Sequence, residues 1–353
     1  MRVVLVRLSA LGDIVHTWPL AVELRKMQPR MHLTWVVEEP LRPLVEGHPA
    51  VDTVLTAATK SWRRRPLSAD TRSRLSVLRS RFHELQPDLA VDPQGVLKSA
   101  LVTRLTGAPR RIGLARPWRR ERIAGLAYTS TVAGSHDQRH VVATNIQLAR
   151  AAGADPSDTL PYPDGRWLLQ KLSDRPPVIA PQPGYVALLP GAGRPDKILP
   201  VEDLSAVARW SVDRGFRAVV LWGPDEEQRA RAVVEAAGPG TELAPPTDLD
   251  ELVLTLGHAR AVVGGDTGPV HLAASLEVPT MAIFTTTDWR RNGPLGPAVA
   301  VVSGAELDDG GPTGSSAAKR PGTVTPEEII VGLRRLLESS EPSPPPTHPA
   351  AES

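Results

Sequence analysis

Residues 3–19 read VVLVRLSALGDIVHTWP, an apolar run that ends in a short turn and continues into a helical pattern. The run Val3–Val6 has no polar residue, which is typical of a strand buried on both faces of a parallel sheet. The turn after it carries a carboxylate, Asp13, where the next helix begins. Such a carboxylate either caps the helix or acts as a general base held ionised by the helix dipole. The stretch therefore predicts a strand–helix unit with a candidate catalytic residue at its turn.

The same alternation of apolar runs and helical spacing recurs along the chain. Further strand-like runs lie at His32–Val37, Leu89–Val91, Val186–Leu189, Ala218–Trp222, Ala261–Gly264 and Thr280–Phe284. Strands that alternate with helices indicate parallel sheets covered by helices on both faces, here present twice. We therefore predict an α/β protein whose ligands bind in a cleft at the carboxyl ends of the strands.

Changes in composition along the chain set the boundaries of the predicted domains. We place the first domain at residues 1–172, a Pro-rich linker at 173–184, the second domain at 185–338 and a disordered tail at 339–353. Residues 308–322 are rich in Gly, Ser and Pro and are predicted to form an irregular loop. Thr325-Pro326-Glu327-Glu328 then predicts a helix start, with a capping hydroxyl, proline in the first turn and acidic residues against the dipole.

Composition narrows the class of protein. The 353 residues are 41% hydrophobic and 23% charged with a formal net charge of +2, as in a globular protein rather than a nucleic-acid binder. No apolar run approaches the ~20 residues of a membrane span, so we expect a cytoplasmic protein. The chain has no cysteine, which excludes disulfides and thiolate chemistry. Its histidines lack metal-ligand spacing, so no metal site is predicted.

The segment Gly264–Leu272, GGDTGPVHL, predicts an anion site in the second domain. A strand ends in a Gly-rich turn and a helix opens beside it, so free backbone N–H groups and the positive end of a dipole converge on one spot suited to a diphosphate. Thr267 and Gly268 would supply donors, whereas Asp266 would hold the turn or accept from a sugar hydroxyl. A capped turn that binds no ligand has the same pattern.

Two further strand-end turns precede that segment. LPGAGRPDK, residues 189–197, ends in Lys197, a cation able to neutralise a departing diphosphate or simply to lie solvated on the surface. Only six of the 41 basic residues are lysines, which makes a retained lysine weakly informative. In WGPDEE, residues 222–227, the carboxylate of Glu226 either accepts from ribose hydroxyls or caps a helix.

Two basic segments of the first domain indicate an anionic partner. KSWRRR, residues 60–65, and PWRRER, residues 117–122, each mix tryptophan with arginine. Such clusters bind phosphates and carboxylates, or pack as solvated loops around an aromatic anchor. The chain has neither a GxGxxG nor a GxxxxGK[ST] motif, which argues against a dinucleotide fingerprint and a P-loop. We expect an anionic acceptor molecule rather than nucleic acid.

Taken in order, these motifs resemble family 9 glycosyltransferases, and most of all their heptosyltransferase I branch of lipopolysaccharide core assembly. The resemblance rests on the S-x-L-G-D-x-V-H-T-x-P stretch, WVVEE at 35–39, VDPQGVLKSA at 91–100, Lys197 and D-T-G-x-x-H at 266–271. It runs from Met1 to about Leu337. It implies a GT-B fold, in which two Rossmann-like domains face each other across a cleft. The C-terminal domain would hold the nucleotide-sugar donor and the N-terminal domain the acceptor.

The resemblance also implies a reaction and its residues. The enzyme would be inverting and metal-independent, would need no cofactor beyond its donor ADP-heptose, and would act on Kdo of a glycolipid acceptor. Asp13 matches the catalytic base and Lys197 the diphosphate-binding lysine. The donor-binding positions are Gly193, Glu226, Asp266, Thr267, Gly268 and His271. The acceptor-binding positions are Lys60, Arg63, Arg64, Gln94, Lys98 and Arg120.

Departures from the family pattern leave other readings open. Ile198-Leu199 stand where a basic residue and tryptophan are usual, Gly193 replaces a hydroxyl residue, and Thr286–Trp289 replaces a P-T-D-P loop. One alternative is a relative that uses another nucleotide-sugar and an acceptor outside lipopolysaccharide. Another is a non-catalytic nucleotide-binding module. The chain would lie free in the cytoplasm or in peripheral contact with the inner face of the membrane.

Overall fold

The computed structural model describes residues 1–65, 67–135, 139–182, 184–306 and 321–339. Most of the predicted loop at 308–322 and all of the predicted tail after residue 339 lie outside the described residues. Within the described ranges, no helix is both long enough and apolar enough to cross a membrane.

Two six-stranded sheets, both parallel throughout, form the framework. The first contains β1 (Arg2–Val6), β2 (His32–Glu38), β3 (Thr53–Ala57), β4 (Leu89–Asp92), β5 (Arg110–Leu114) and β6 (Ser130–Val132), in the order β3-β2-β1-β4-β5-β6. The second contains β7 (Tyr185–Leu189), β8 (Arg217–Val220), β9 (Thr241–Leu243), β10 (Ala261–Gly265), β11 (Thr280–Phe284) and β12 (Val299–Ser303), in the order β12-β11-β10-β7-β8-β9. The two orders are the same topology, so the predicted α/β class with two Rossmann-like sheets is confirmed.

Helices connect the strands in each half. They are α1 (Leu11–Val15), α2 (Trp18–Met27), α3 (Thr59–Arg64), α4 (Ala69–Leu85), α5 (Leu97–Leu105), α6 (Val141–Ala152), α7 (Arg166–Lys171), α8 (Val201–Val212), α9 (Glu227–Ala237), α10 (Leu249–Gly257), α11 (Gly268–Ser275), α12 (Trp289–Asn292) and α13 (Pro326–Ser339). Three short 3₁₀ helices lie at Glu39–Leu44, Arg122–Ala127 and Pro195–Lys197. The predicted start of α13 is confirmed, since the Glu328 N–H donates to the Thr325 hydroxyl and the Thr325 N–H donates to the Glu328 carboxylate.

One apolar core runs through both halves. The largest buried cluster contains Leu5 of β1 and Ala187 of β7, joined through Trp18 of α2 and Leu272 of α11. Further clusters lie within each half alone. The shared cluster spans both halves where α1 of the first half packs directly on α11 of the second.

Two glycines permit that close packing of α1 on α11. A Cβ added to Gly12 would lie 2.6 Å from Cδ2 of His271, and one added to Gly268 would lie 2.7 Å from Cβ of Leu11. Neither distance is compatible with a real side chain. The turns that follow β1 and β10 therefore meet at the boundary between the two halves.

Replacing Gly268 by Ala is expected to lower the free energy of unfolding by about 1–3 kcal/mol, because the new methyl group overlaps a Cβ that cannot retreat. The better helix propensity of Ala, about 1 kcal/mol at most, does not offset this overlap. Chemical denaturation measures the change. Gly193→Ala is the matched control, since no atom lies within 4 Å of its Cβ position. Equal stability of the two variants would contradict the close-packing argument.

Candidate active site

A cavity of about 990 Å³ opens between the carboxyl ends of the two sheets. Its walls include turns that follow β1, β4, β7, β8 and β10, so it lies where ligands bind in open α/β sheets. The predicted residues that line it are Asp13, Gln94, Arg120, Gly193, Lys197, Glu226, Asp266, Thr267, Gly268 and His271. The other predicted residues, Lys60, Arg63, Arg64 and Lys98, are not among its lining residues.

Asp13 is held by an arginine that the sequence analysis did not identify. Its Oδ1 lies 2.6 Å from Nη2 of Arg7, and its Oδ2 accepts from the Ala10 N–H at 3.2 Å. Arg7 is buried and also donates to the Pro93 carbonyl at 3.1 Å. The Asp13 side chain nevertheless remains 37% exposed. Both predicted roles are therefore compatible, because the carboxylate caps the start of α1 and still faces the cleft.

Asp266 is the centre of a hydrogen-bonded network on the opposite wall. Its Oδ2 accepts from Lys197 Nζ at 2.6 Å and from Thr287 Oγ1 at 2.8 Å, while its Oδ1 lies 3.3 Å from Nε2 of His271. Burial alone would raise the pKa of the Asp266 carboxyl. The hydrogen bond and charge of His271 and the charge of Lys197 outweigh burial and hold this pKa well below its usual range. Asp266 is thus a permanent anion that organises its neighbours.

Lys197 lies at the cleft as half of an ion pair rather than as a free cation. Its side chain is 17% exposed, and the paired carboxylate is 9% exposed. An ammonium has three N–H donors, and Asp266 occupies one of them in this arrangement. The remaining donors can reach an anion in the cleft without breaking the pair. Asp266 therefore fixes the position of Lys197.

The start of α11 presents donors beside this pair. Thr267 is the residue that precedes the helix, and its buried hydroxyl has no partner within the described part of the chain. The first N–H groups of a helix also have no intrahelical acceptor. Thr267 and Gly268 thus lie at the helix start where the sequence analysis places an anion-binding turn.

Glu226 and Gly193 complete the second-domain wall of the cleft. The Glu226 carboxylate accepts from the Gly223 N–H at 2.8 Å and lies so close to Gly191 that a Cβ there would overlap it. Glu226 therefore bonds within the turn after β8, packs on the turn after β7 and lines the cleft. It is the residue before α9, but its side chain makes no capping bond to that helix, so the capping alternative is wrong. Gly193 lies beside open space.

A basic cluster on the first domain surrounds Lys98, near the amino end of α5. Its Nζ donates to Ser9 Oγ at 2.6 Å and lies 3.8 Å from the buried Glu38 carboxylate. Burial lowers the pKa of Lys98, Glu38 raises it, and the charges of Lys60, Arg7 and Arg63 lower it further. Lys60, Arg63 and Lys98 therefore form one positive patch. Arg64 is exposed on the same helix, α3, but is not among the charges that act on Lys98.

In the second basic segment, residues 117–122, one arginine lines the cleft and another stabilises the loop. The Arg119 guanidinium donates to the backbone carbonyls of Leu114, Glu121 and Arg122 at 3.0–3.1 Å, so it holds its loop together. Arg120 beside it is exposed and lines the cleft. Trp62 and Trp118 are partly buried against the apolar clusters and serve as the aromatic anchors of the two segments.

The loop after β4 depends on a buried carboxylate. Asp92 accepts from the N–H groups of Gln94 and Gly95 at 2.9 and 3.1 Å and from the Tyr128 hydroxyl at 2.8 Å. Burial raises the pKa of Asp92. The Gln94 side-chain carbonyl in turn accepts from the Leu8 N–H at 3.0 Å. Gln94 therefore joins the ends of β1 and β4 at the floor of the cleft.

Arg291 is a second cleft arginine that the sequence analysis did not assign. It belongs to α12 of the second half, yet the charges of Asp13, Arg120 and Arg7 act on it. Burial lowers its pKa, Asp13 raises it, and Arg120 and Arg7 lower it. Arg291 thus brings a cation from the second domain to the carboxylate of the first. Only the three-dimensional fold reveals this approach.

Three buried histidines join the halves beneath the cleft. The rings of His16 and His271 meet edge to face at 4.5 Å, and those of His16 and His140 at 5.1 Å. His140 Nδ1 accepts from the Val142 N–H at 3.2 Å, so its Nε2 donates to the Gly293 carbonyl at 2.9 Å. Both bonds together require the neutral ring. Burial, chiefly, lowers the pKa of His140 to about 4 and that of His16 well below its usual range.

The protein is expected to lose stability as the pH falls from about 6.5 toward 4, because the unfolded state then binds protons that the folded His140 excludes. Between pH 7 and pH 5 this histidine accounts for about 2 kcal/mol of unfolding free energy. Chemical denaturation at the two pH values should show a smaller loss for His140→Asn than for the parent, since asparagine retains the helix cap. The exposed His83→Asn is the control. An undiminished loss in His140→Asn would refute this account.

Within the described residues, no cluster of three or more His, Cys, Asp or Glu side chains is arranged to hold a metal ion. The candidate site contains the partly exposed Asp13 carboxylate, the Lys197–Asp266 pair, the start of α11 and several arginines.

Comparison with known proteins identifies the family of the chain. The model of glycosyltransferase family 9 (heptosyltransferase) matches residues 76–310. Lipopolysaccharide heptosyltransferase 1 of Pseudomonas aeruginosa is 31% identical over 82% of this chain and 79% of its own length. The enzyme of the same name from Escherichia coli K12 is 31% identical over 82% of this chain and 89% of its own length.

Solved structures show the same architecture. The E. coli heptosyltransferase WaaC with ADP superposes with a TM-score of 0.79 at 28% identity, covering 95% of this chain and all of that one. E. coli heptosyltransferase II, at 20% identity and a TM-score of 0.71, shares the fold. The predicted GT-B arrangement of two Rossmann-like domains is confirmed. Since the family model covers most of the chain and these relatives match it nearly from end to end, the protein belongs to glycosyltransferase family 9 and is a heptosyltransferase.

Proposed function

We propose that this heptosyltransferase moves a heptose from ADP-heptose to Kdo of an anionic lipopolysaccharide inner-core glycolipid, with inversion and without a metal ion. One observation carries the proposal: the cleft sets the exposed carboxylate of Asp13 against the Lys197–Asp266 pair and the start of α11. The names of the relatives support the acceptor class. The donor is supported by solved structures of E. coli WaaC with ADP and with ADP-2-deoxy-2-fluoro heptose.

The donor diphosphate would lie at the start of α11. The free N–H groups there, the unpartnered Thr267 hydroxyl and the spare donors of Lys197 are placed to take up its negative charge. Glu226 would accept from the ribose. This donor set supplies the positive charge that a departing diphosphate needs, which supports a reaction without a metal or a cofactor other than the donor itself.

The acceptor would bind on the first-domain wall. Lys60, Arg63 and Lys98 form a positive patch beside Ser9, and Arg120 enters the cleft from the neighbouring loop. Carboxylates and phosphates are the groups that such cations recognise. A Kdo-bearing glycolipid carries both, whereas a neutral sugar would leave this charge uncompensated.

The transfer itself would be a single displacement. The acceptor hydroxyl oxygen forms a bond to the anomeric carbon of the heptose while the bond from that carbon to the ADP oxygen breaks. The hydroxyl proton passes to Asp13, and the electron pair leaves with ADP, where Lys197 and the α11 N–H groups stabilise it. Attack from the face opposite the leaving group inverts the anomeric centre.

A panel of donors and acceptors tests the proposal. ADP release should require both ADP-heptose and a Kdo-bearing acceptor, and NMR of the product should show an inverted anomeric centre. Added EDTA should leave the rate unchanged. Turnover only with another nucleotide-sugar would favour the alternative donor that Gly193 and Ile198-Leu199 leave open. Nucleotide binding without turnover on any acceptor would favour the non-catalytic module.

A further inference from the structure

An exposed apolar face lies on the outer side of the first domain. Leu97 and Leu101 of α5 are 44% and 62% exposed, and Ile123 and Leu126 of the 3₁₀ helix are 55% and 84% exposed. We call these four residues the Leu101 face. Large apolar side chains grouped on a surface mark an interaction site more often than scattered single ones do.

Local geometry brings these side chains together in two pairs on neighbouring elements. Leu97 and Leu101 are four residues apart on an α-helix, and Ile123 and Leu126 are three apart on a 3₁₀ helix, so each pair shares one side of its element. The two elements pack together through Ala100, Ala124 and Ala127. The Leu97 N–H also donates to the Glu121 carboxylate at 2.8 Å, which fixes the start of α5 beside the 3₁₀ helix.

The surroundings of the Leu101 face are strongly basic. Residues 97–127 contain eight lysines and arginines but a single carboxylate, Glu121, in a chain whose formal net charge is only +2. Arg104 and Arg122 are exposed beside the face, and Arg116 lies near enough to Arg122 for their charges to repel. Within the described residues no carboxylate forms an ion pair with any of these three arginines. Their charge is therefore not compensated by an ion pair within the described ranges.

A basic groove extends this surface at the amino end of the first sheet. A cavity of about 910 Å³ opens there and is lined by Leu101 and Arg104 of α5 and by Arg79 and His83 of α4. Apolar side chains with cations around them suit a bilayer surface that contains anionic lipids. The leucines can insert at the boundary between headgroups and acyl chains, and the arginines can bind the lipid phosphates.

We propose that the Leu101 face is the docking surface of this enzyme on an anionic lipid bilayer. α5 carries Leu97 and Leu101 on its exposed side and Lys98 of the acceptor patch at its amino end, so docking brings that patch close to the bilayer. The role of this docking surface in catalysis rests on the glycolipid acceptor of the proposed function. A protein partner or a second copy of the chain would not require the excess of cations.

Vesicle flotation of the full-length protein tests the assignment without any acceptor present. The protein should float with vesicles of phosphatidylcholine mixed with phosphatidylglycerol, less with phosphatidylcholine alone, and less at high salt. Leu101→Gln combined with Leu126→Gln should reduce partitioning roughly tenfold. So should Arg104→Gln, Arg116→Gln and Arg122→Gln together. The matched control is Val178→Gln with Val331→Gln, two exposed apolar residues elsewhere.

The outcomes separate this inference from the proposed function. The leucine variants should retain the parent rate on a Kdo acceptor that lacks acyl chains, which shows that they fold and that the site is intact. Partitioning equal to that of the parent would overturn the inference, and so would failure of the parent to float with the anionic vesicles. A dimer that Leu126→Gln dissociates in sedimentation would also overturn it, in favour of self-association. A parent that binds vesicles but transfers no heptose would refute the proposed function alone.

Discussion

Asp13→Asn is expected to reduce the turnover number of heptosyl transfer by about 10²–10⁴-fold. Asparagine keeps the size of the side chain and can still accept from the Ala10 N–H, but it cannot take the proton of an acceptor hydroxyl. Donor binding should change little, since the bonds of Asp13 go to the Arg7 guanidinium and the Ala10 N–H, both in the first half, and not to Lys197. Steady-state ADP release measures the turnover, and calorimetric titration with ADP measures binding.

Two controls distinguish a loss of catalysis from a loss of folding. Asp13→Asn leaves the buried Arg7 without its charged partner, so a lower melting temperature is expected and must be measured beside the rate. Asp213→Asn removes an exposed carboxylate that follows α8 and should leave both the rate and the stability unchanged. If Asp13→Asn transferred heptose at the parent rate while folded, Asp13 would be a helix cap and not the base.

The central strands were predictable because strands buried on both faces are almost entirely apolar. β1 is apolar from Val3 to Val6 and β10 is apolar along its length, so each reads in the sequence as an unbroken apolar run. The sequence analysis missed β3, β5, β6, β9 and β12. All but β5 are edge strands that are incompletely buried, so polar residues are tolerated there and the apolar runs are short or broken.

The candidate site was predictable where its residues follow strands. Asp13, Glu226 and Asp266 each lie in the turn that ends a predicted strand, and the topology brings such turns to one cleft. Arg7 and Arg291 were missed because their roles depend on contacts between distant parts of the chain. One signal for Arg7 was present: it directly follows β1, in the same stretch as Asp13.

These missed residues change how the site is understood. Arg7 holds Asp13 through an ion pair, and Asp266 holds Lys197 through another, so each predicted catalytic group is positioned by an opposite charge. Both positioning partners are largely buried, whereas Asp13 keeps exposed area toward the cleft. A site built of paired charges is held rigid before substrates arrive, which lowers the reorganisation needed during transfer.

Lys197→Gln is expected to reduce the turnover number by about 10²–10³-fold, the typical effect of removing one preorganised donor from a developing anion. The leaving diphosphate gains charge in the transition state, so the turnover number should fall more than the donor KM rises. Lys197→Arg should restore part of the rate, because it keeps the charge next to Asp266 but replaces a compact ammonium by a planar fork.

A structural role for Lys197 predicts a different result. Removing it leaves Asp266 with His271 and Thr287 as partners, so the carboxylate stays hydrogen-bonded and the fold should survive with a modest loss of stability. Lys26→Gln breaks a comparable pair, with Lys26 Nζ 2.8 Å from Glu23 Oε1, but at a lysine that is 65% exposed, and should leave the rate unchanged. If Lys197→Gln lost only stability, or lost donor affinity with an unchanged turnover number, Lys197 would serve to hold the turn or the ground-state donor. A fall in the turnover number of the folded variant, partly rescued by arginine, is explained only by charge stabilisation of the departing diphosphate.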